Sequence, residues 1–191
     1  MQYTMNIPYA KEVHPYVWDD DCFTSKELDI LQGYAKNAEF PAVLDTAGFT
    51  DRDVRRSSVT WINNNNKNEW IFSRLSQVVG ILNARFYGFN LTGFGEALQL
   101  TNYDSTDKGM YRWHQDYAAQ VSRKLSVVIQ LSDPSEYDGG ELQIMTGPLD
   151  TVKKQRGLAT VFPSWAVHQV TPVTRGTRQT LVAWISGPDF I

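Results

Sequence analysis

Residues 95–131 read GEALQLTNYDSTDKGMYRWHQDYAAQVSRKLSVVIQL, and this stretch decides the fold. Short segments rich in β-prone residues alternate there with breaks at Gly, Asp and Asn, which is the texture of a strand-rich domain. The same texture continues almost to the end of the chain, without another convincing helical period. Strands are therefore predicted at 56–62, 96–103, 110–115, 124–131, 141–145, 159–162, 167–171 and 178–185.

Two helices are predicted before the strand-rich region. Thr24 and Glu27 have the spacing of a capping box, and the apolar positions after them fit one face of a helix that runs to about residue 38. A second helix is predicted over about 68–86, where Ile71, Leu75, Val78 and Leu82 recur at helical spacing.

Length and composition favour one globular domain. The chain has 191 residues, of which 42% are apolar and 20% charged, which is enough material for a substantial core. Several short strands behind two helices predict a mainly β fold with flanking N-terminal helices: an antiparallel jelly roll, the cupin-like double-stranded β-helix. The predicted single domain spans 1–191, with helical support at about 24–86 and the jelly-roll core at about 95–187.

Charge and cysteine content exclude several classes of function. Cys22 is the single cysteine, so a metal site must use histidines and carboxylates. The net charge of -3 gives no general attraction to nucleic acid, although Arg55 and Arg56 lie in a locally basic segment. No signal-peptide pattern and no apolar run of about 20 residues occurs, so we expect a cytoplasmic protein with no membrane partner.

Two of the three histidines lie in the strand-rich half. His114 and Asp116 are two residues apart, so on an extended segment both side chains project from one face and can reach one ion. His168 is the histidine available from a distant strand, and His14 is interpreted as structural. Two histidines and a carboxylate on one face of an octahedral ion leave three open positions, as in non-haem Fe(II) oxygenases. Taken alone, H-x-D is more often a surface pair or a core histidine, so the triad needs support from other residues.

Arg178 supplies that support. It opens the last predicted strand, and a guanidinium binds a carboxylate with two parallel hydrogen bonds. A 2-oxo diacid that chelates iron through one end needs such a partner at its other end. Thr180 projects from the same face, where its hydroxyl could share the same carboxylate. Without the histidines, Arg178 would be interpreted as a surface arginine after a turn.

Three stretches resemble one family in order, spacing and flanking residues. They read YDSTDKGMYRWHQD (103–116), LSDP followed by YDGGEL (131–142), and VFP followed by HQVTPVTRGTR (161–178). Together they resemble the prolyl hydroxylase branch of the Fe(II)- and 2-oxoglutarate-dependent oxygenases, and the likeness covers about residues 55–187.

The resemblance implies a dioxygenase that hydroxylates an unactivated C–H bond and releases succinate and CO2. It uses Fe(II), 2-oxoglutarate and O2, with ascorbate in support. The resemblance assigns His114, Asp116 and His168 to iron and Arg178 and Tyr103 to 2-oxoglutarate. Some relatives place an aromatic residue against the cosubstrate at the position of Gln130, and a pocket-lining aromatic at the position of Trp184, where core packing is an equal alternative.

Substrate identity stays open between several alternatives. A prolyl residue of a protein or peptide is expected first, with the segment 46–56 as a lid and Arg55 or Arg56 as a contact. A free amino acid or another small molecule is the next alternative. Outside the oxygenases, the same ligands fit a metal hydrolase or a metal-binding jelly-roll protein, but neither has a reason to need Arg178 and Tyr103. A related halogenase would lack the carboxylate that Asp116 provides.

Overall fold

The computed structural model describes residues 14–36, 40–42, 50–117 and 122–188. The helices are α1 (Ser25–Ala35) and α2 (Glu69–Leu82), which a π-helical turn (Asn83–Tyr87) extends. Short 3-10 segments occur at Ser105–Asp107 and Pro134–Glu136. The strands are β1 (Val17–Asp19), β2 (Phe40–Pro41), β3 (Arg55–Arg56), β4 (Ser58–Ile62), β5 (Gly93–Phe94), β6 (Leu98–Asp104), β7 (Met110–His114), β8 (Arg123–Gln130), β9 (Asp138–Gly139), β10 (Leu142–Met145), β11 (Leu149–Thr151), β12 (Ala159–Pro163), β13 (Val167–Val170), β14 (Val173–Arg175) and β15 (Thr177–Ser186).

Two antiparallel sheets form the predicted jelly roll. The large sheet has the order β1-β12-β8-β15-β6-β4-β2, with β5 beside β15, and the small sheet has the order β11-β10-β13-β7-β3. Strands β9 and β14 form a separate pair. The mainly β fold with N-terminal helices is therefore confirmed. No helix within the described ranges is long and apolar enough to cross a membrane.

The two faces of the large sheet carry different residues because side chains alternate along each strand. On β15, Leu181, Ala183 and Ile185 face the helices and belong to the main apolar core. The alternate positions, Arg178 and Thr180 among them, face the interior of the roll. Several of these interior residues are polar and nevertheless buried: Gln99, Thr101, Ser126, Gln130, Thr160, Arg178 and Thr180. A row of buried polar side chains inside a β-roll indicates a binding site rather than a packing core.

Helix α1 begins as predicted, because the Thr24 hydroxyl and the Glu27 carboxylate cap each other's backbone N–H groups. It ends at Ala35, and residues 37–39, where the prediction placed its last turn, lie outside the described residues. Helix α2 ends at Leu82, four residues before the predicted end, because the chain widens into the π-helical turn. The Asn83 side chain binds both backbone groups of Phe89, which stabilises this irregular exit.

The predicted strands are present within one or two residues of their expected ends, with one correction. The strand predicted over 56–62 is two strands, since Arg55–Arg56 pairs with β7 in the small sheet and Ser58–Ile62 pairs with β6 in the large sheet. The chain crosses between the sheets at Ser57. Strands β1, β2, β5, β9, β11 and β14 were not predicted, because segments of two or three residues are too short to show a period of two.

Candidate active site

The metal triad assembles on the small sheet beside the large one. His114 ends β7, and His168 lies directly opposite it on β13 in the antiparallel register. Asp116 follows β7, where its backbone N–H donates to the Ser164 carbonyl at 2.9 Å. Each histidine Nε2 lies close to the carboxylate of Asp116, at 3.7 Å for His114 and 3.5 Å for His168. Two ligand atoms that bind one ion at about 2.1 Å each lie within about 4 Å of one another, so these separations fit a shared metal.

Backbone carbonyls orient both imidazoles. The His114 Nδ1 lies 2.7 Å from the Arg112 carbonyl oxygen, and the His168 Nδ1 lies 2.9 Å from that of Ala166. A carbonyl only accepts, so each Nδ1 carries the proton and each Nε2 keeps its lone pair. This is the tautomer that a metal-binding histidine needs, and it is fixed before any metal arrives.

Burial and charge keep His114 and Asp116 in their metal-binding protonation states. Burial and the neighbouring His168 lower the pKa of His114 to about 3, so its imidazole is neutral at physiological pH. Burial alone would raise the pKa of Asp116, but His168, His114 and the hydroxyl of Ser126 hold it below its usual range. Together with His168, these residues place two imidazole nitrogens and one carboxylate on one face, the donor set of a non-haem Fe(II) site.

Ser126 connects the triad to the large sheet. Its hydroxyl donates to Asp116 Oδ2 at 2.7 Å and lies 3.1 Å from the Ser164 hydroxyl. This contact was not predicted, although Ser126 and Gln130 interrupt the otherwise apolar run 125–131 on one face of the strand. That interruption is a signal of a functional interior face.

Tyr111 forms a second support that sequence reasoning missed. Its ring stacks on the His114 imidazole, with ring centroids 3.5 Å apart. The Arg55 guanidinium lies over the Tyr111 ring, with its central carbon 4.6 Å from the ring centroid. Arg55 also donates to Gln99 at 2.8 Å, which joins the small sheet to the large one beside the metal site.

Arg178 lies at the base of a pocket between the sheets. Its side chain is buried, and no described carboxylate forms an ion pair with it. Burial lowers the pKa of Arg178, while Tyr103 and Tyr137 oppose that change. The pocket holds about 280 Å³ of space with its open mouth included. Its described lining contains three cations, Arg178, Lys153 and Lys154, and no carboxylate. A buried cation without an internal partner requires an anionic ligand to be stable.

Of the other residues predicted to bind the cosubstrate, Tyr103 lies beside Arg178, Gln130 lines the Arg178 pocket, and Thr180 does not line it. Tyr103 is paired with Arg178 across β6 and β15, and its ring centroid is 5.5 Å from the guanidinium carbon. Gln130 lines the pocket, with its amide nitrogen 3.2 Å from the Ser132 carbonyl oxygen. Thr180 lies on the interior face beside Gln130 but is not among the residues that line the pocket.

The three residues predicted to contact the substrate are Trp184, Arg55 and Arg56, and Trp184 and Arg55 lie near the metal triad. Trp184 is buried on the interior face of the large sheet. It lies near Asp116 and helps to lower the pKa of that carboxyl. Its indole nitrogen completes no hydrogen bond of normal geometry among the described residues. Its ring lies 6.3 Å from that of Trp61, which is 44% exposed. Arg55 contacts Tyr111, which in turn stacks on His114 of the triad. Arg56 has a buried Nε that forms no hydrogen bond with the described residues.

The fold and the triad fit an Fe(II)- and 2-oxoglutarate-dependent oxygenase, and comparison with known proteins shows that this is the family of the chain. A sequence model of the 2OG-Fe(II) oxygenase superfamily matches residues 98–186. A PKHD-type hydroxylase of Nitrosomonas europaea is 34% identical over 169 residues, which cover 83% of this chain and 73% of that protein. A PKHD-type hydroxylase of Sphingopyxis alaskensis is 38% identical over 118 residues, covering 57% of this chain and 53% of that protein. The chain belongs to the 2OG-Fe(II) oxygenase superfamily, as a PKHD-type hydroxylase.

Solved structures show the same fold at low sequence identity. A prolyl-4-hydroxylase from Pseudomonas putida matches 91% of this chain and 93% of its own, with a TM-score of 0.74 and 20% identity. A Trichoplax adhaerens prolyl hydroxylase in complex with a hypoxia inducible factor peptide fragment matches 91% of this chain and 84% of its own, with a TM-score of 0.75 and 15% identity. These structures confirm the predicted jelly-roll fold, and the sequence relatives confirm the predicted oxygenase class.

Proposed function

We propose that the enzyme hydroxylates a prolyl residue of a protein or peptide, and that the Arg178 pocket holds the distal carboxylate of 2-oxoglutarate. The observation that carries the choice of substrate is the exposed Trp61 beside Trp184, next to the metal carboxylate. Aromatic-lined grooves are a common way to bind proline-containing segments. The structurally similar prolyl hydroxylases, one of them in complex with a peptide, support the same choice.

The cosubstrate assignment follows from charge. Arg178 offers a buried guanidinium, and the pocket that it shares with Lys153 and Lys154 opens between the two sheets. The distal carboxylate of a bound dicarboxylate would neutralise these cations, since no carboxylate of the chain is among the described residues that line the pocket. Tyr103 lies beside the guanidinium, where its hydroxyl can share that ligand.

His114, Asp116 and His168 would hold Fe(II), which when bound supplies the redox chemistry that couples 2-oxoglutarate decarboxylation to C–H hydroxylation. The chain's own contribution is positional. The backbone carbonyls of Arg112 and Ala166 fix the imidazoles, and Ser126 fixes the carboxylate. The buried interior face excludes water around the reacting groups.

The segment proposed as a substrate lid is partly described. Residues 46–49 lie outside the described residues, whereas 50–56 are anchored to the site. The Arg112 backbone N–H donates to the Val54 carbonyl at 2.9 Å, and Arg52 forms an ion pair with Asp107. We propose that Arg55 and Arg56 contact the substrate from this segment.

The proposal is tested with a library of proline-containing peptides incubated with enzyme, Fe(II), 2-oxoglutarate and ascorbate. Mass spectrometry is expected to find peptides heavier by one oxygen on proline, with stoichiometric succinate, under air but not under nitrogen. Free proline and other free amino acids form a parallel arm. Hydroxylation confined to that arm would overturn the peptide assignment, and oxygen-independent turnover with Zn(II) would indicate a hydrolase instead.

A matched pair of tryptophan variants tests the aromatic platform. Trp61→Ala is expected to raise the KM for the peptide about tenfold or more, since aromatic contacts with a bound group are worth about 1–3 kcal/mol. Trp18→Ala removes a similarly exposed tryptophan, 58% accessible, from β1 at the far edge of the large sheet. An equal effect of both substitutions would contradict a binding role for Trp61.

A further inference from the structure

We infer that Tyr137 is a further hydrogen-bond donor to the distal carboxylate of 2-oxoglutarate, beside Arg178 and Tyr103, in a cradle that Lys154 completes. The inference rests on the proposed placement of 2-oxoglutarate in this pocket. It concerns a residue that sequence reasoning did not assign to the site.

The first observation is a buried hydroxyl that lies beside Arg178 and completes no hydrogen bond of normal geometry. Tyr137 is 1% exposed, and its ring packs with Tyr103, Val170 and Val173. It lines the same pocket as Arg178, yet its hydroxyl oxygen completes no hydrogen bond within the described residues. The Arg178 guanidinium lies close enough to interact with this hydroxyl, and burial raises the pKa of Tyr137 while Arg178 lowers it. Buried hydroxyls are normally satisfied, so an exception that points into a ligand pocket indicates a donor reserved for the ligand.

The local backbone fixes this donor in place. A short 3-10 segment precedes Tyr137, and Asp133 and Glu136 form a capping box around it. The phenol therefore extends from a turn that hydrogen bonds stabilise, and a preorganised binding group requires such support.

Gly140 allows the phenol and the guanidinium to share the pocket. Its φ is +60°, and a Cβ at this position would lie 2.9 Å from Arg178 Cδ and 3.4 Å from Tyr137 Cε2. A side chain there would clash with Arg178, and with Val173 at 2.8 Å, and would touch the Tyr137 ring. The sequence YDGG at 137–140 creates the space in which the two side chains approach each other.

Lys154 adds the second charge of the cradle. Its ammonium donates to the Gly139 carbonyl at 2.6 Å and lies 4.9 Å from the Tyr137 ring centroid. These contacts leave further N–H donors of the ammonium available at the pocket. Arg178, Lys154 and the Tyr137 phenol line one pocket whose described lining has no carboxylate, so the pocket favours an anionic group.

The test compares two 2-oxo acids of equal chain length. Tyr137→Phe keeps the ring and removes the hydroxyl, and 2-oxovalerate has a methyl group where 2-oxoglutarate has its distal carboxylate. Dissociation constants are measured without oxygen from the absorption band of the Fe(II) chelate. We expect Tyr137→Phe to weaken 2-oxoglutarate about tenfold, by analogy with lost hydrogen bonds to charged groups, and 2-oxovalerate less than twofold.

Stability separates a ligand donor from a packing residue. Because the hydroxyl completes no hydrogen bond of normal geometry in the free protein and has only the Arg178 guanidinium close by, Tyr137→Phe is expected to unfold at nearly the same urea concentration as wild type without 2-oxoglutarate. The control is Tyr87→Phe, which removes a phenol that donates to the Val161 carbonyl at 3.1 Å. That variant is expected to be less stable and to bind 2-oxoglutarate normally.

The possible outcomes distinguish the two proposals. If wild type binds 2-oxovalerate as tightly as 2-oxoglutarate, the Arg178 pocket is not the site of the distal carboxylate, and the proposed cosubstrate placement fails. If wild type discriminates and Tyr137→Phe discriminates equally, only the role of Tyr137 is wrong. Lys154→Met is the second variant of the cradle, and it is expected to weaken 2-oxoglutarate several-fold with little effect on 2-oxovalerate. Equal weakening of both acids by Lys154→Met would contradict the cradle.

Discussion

Arg178 is the residue that would convert a metal site into a site for a 2-oxo diacid. Its side chain is only 3% exposed and has no internal carboxylate to neutralise it. A bidentate, charge-assisted contact in such a place is stronger than an exposed ion pair. The loss of either partner leaves the other charge buried without compensation.

The first prediction is that Arg178→Ala weakens 2-oxoglutarate by roughly 30-fold or more. A loss on the order of 2–5 kcal/mol is expected when one member of a buried charge pair is removed, and 1.4 kcal/mol corresponds to a factor of ten. Arg178→Lys is expected between wild type and Ala, since it keeps the charge but loses the planar fork. Titration of the Fe(II) chelate band measures the affinities.

The matched control for Arg178 is Arg175, on the preceding strand β14. Arg175 is exposed and forms an ion pair with Asp138 at 2.6 Å, outside the pocket lining. Exposed pairs of this kind contribute about 0–1 kcal/mol, so Arg175→Ala should leave the 2-oxoglutarate affinity within about twofold. Wild-type affinity in Arg178→Ala would transfer the anchor role to another arginine.

At the scale of elements, the capping box of α1 shows a local sequence signal that fully determines a structure. The Glu27 backbone N–H donates to the Thr24 hydroxyl at 3.3 Å, and the Thr24 backbone N–H donates to the Glu27 carboxylate at 2.7 Å. Thr24→Ala is expected to lower the free energy of unfolding by about 1 kcal/mol, measured by urea denaturation at pH 7. Ser25→Ala, one residue inside the helix, is the control and should have a smaller effect.

The same box has a pH dependence with a defined sign. The hydrogen bond from the Thr24 backbone lowers the pKa of Glu27 in the folded protein. The stability that this carboxylate contributes is present above its unfolded pKa, about 4.3, and is lost as pH falls through the lower folded value. The effect of Thr24→Ala should therefore be smaller near pH 3 than at pH 7. An effect that grows on acidification would contradict the capping interpretation.

Two glycines with different surroundings give opposite predictions. Gly140 has φ +60° and crowded neighbours, whereas Gly33 lies in α1 with nothing within 4 Å of a Cβ. Gly140→Ala is expected to destabilise the fold by about 1–3 kcal/mol and to weaken 2-oxoglutarate by displacing Arg178. Gly33→Ala is expected to stabilise it by about 0.5–1 kcal/mol. Urea denaturation and the chelate titration report both effects, and stabilisation by Gly140→Ala would show that Arg178 does not need this space.

The elements also show which features a sequence can predict. Strands of four or more residues and the spacing of His114 and Asp116 follow from alternation along one strand, so they were predicted. The pairing of His168 with His114 was predicted only as a necessity, since register across 54 residues is a tertiary property. Tyr137, Lys154 and Ser126 were missed because their roles depend on the approach of separate strands, although the polar positions inside β8 contained part of the signal.

For the whole molecule, the metal site lies where the two sheets are joined. His114 and His168 belong to the small sheet, while Ser126 of the large sheet donates to Asp116. Arg55 of the small sheet binds Gln99 of the large sheet beside them. A metal that binds the triad therefore contacts a structure that exists only when both sheets are assembled, and its binding free energy should appear as folding stability.

The last prediction is that Mn(II), a redox-stable substitute for Fe(II), raises the melting temperature of the apo protein. At a free concentration 100 times its Kd, a ligand that binds only the folded state adds about 2.7 kcal/mol. For a chain of this size, that corresponds to about 5–10 °C, measured by differential scanning calorimetry. His168→Ala is expected to remove most of the shift. His14→Ala is the control, because His14 lies edge-on to Phe86 and outside the triad; it should retain the full shift at a lower baseline stability. If His168→Ala kept the wild-type shift while His14→Ala lost it, the metal would bind elsewhere and the connection between the site and the two-sheet assembly would be wrong.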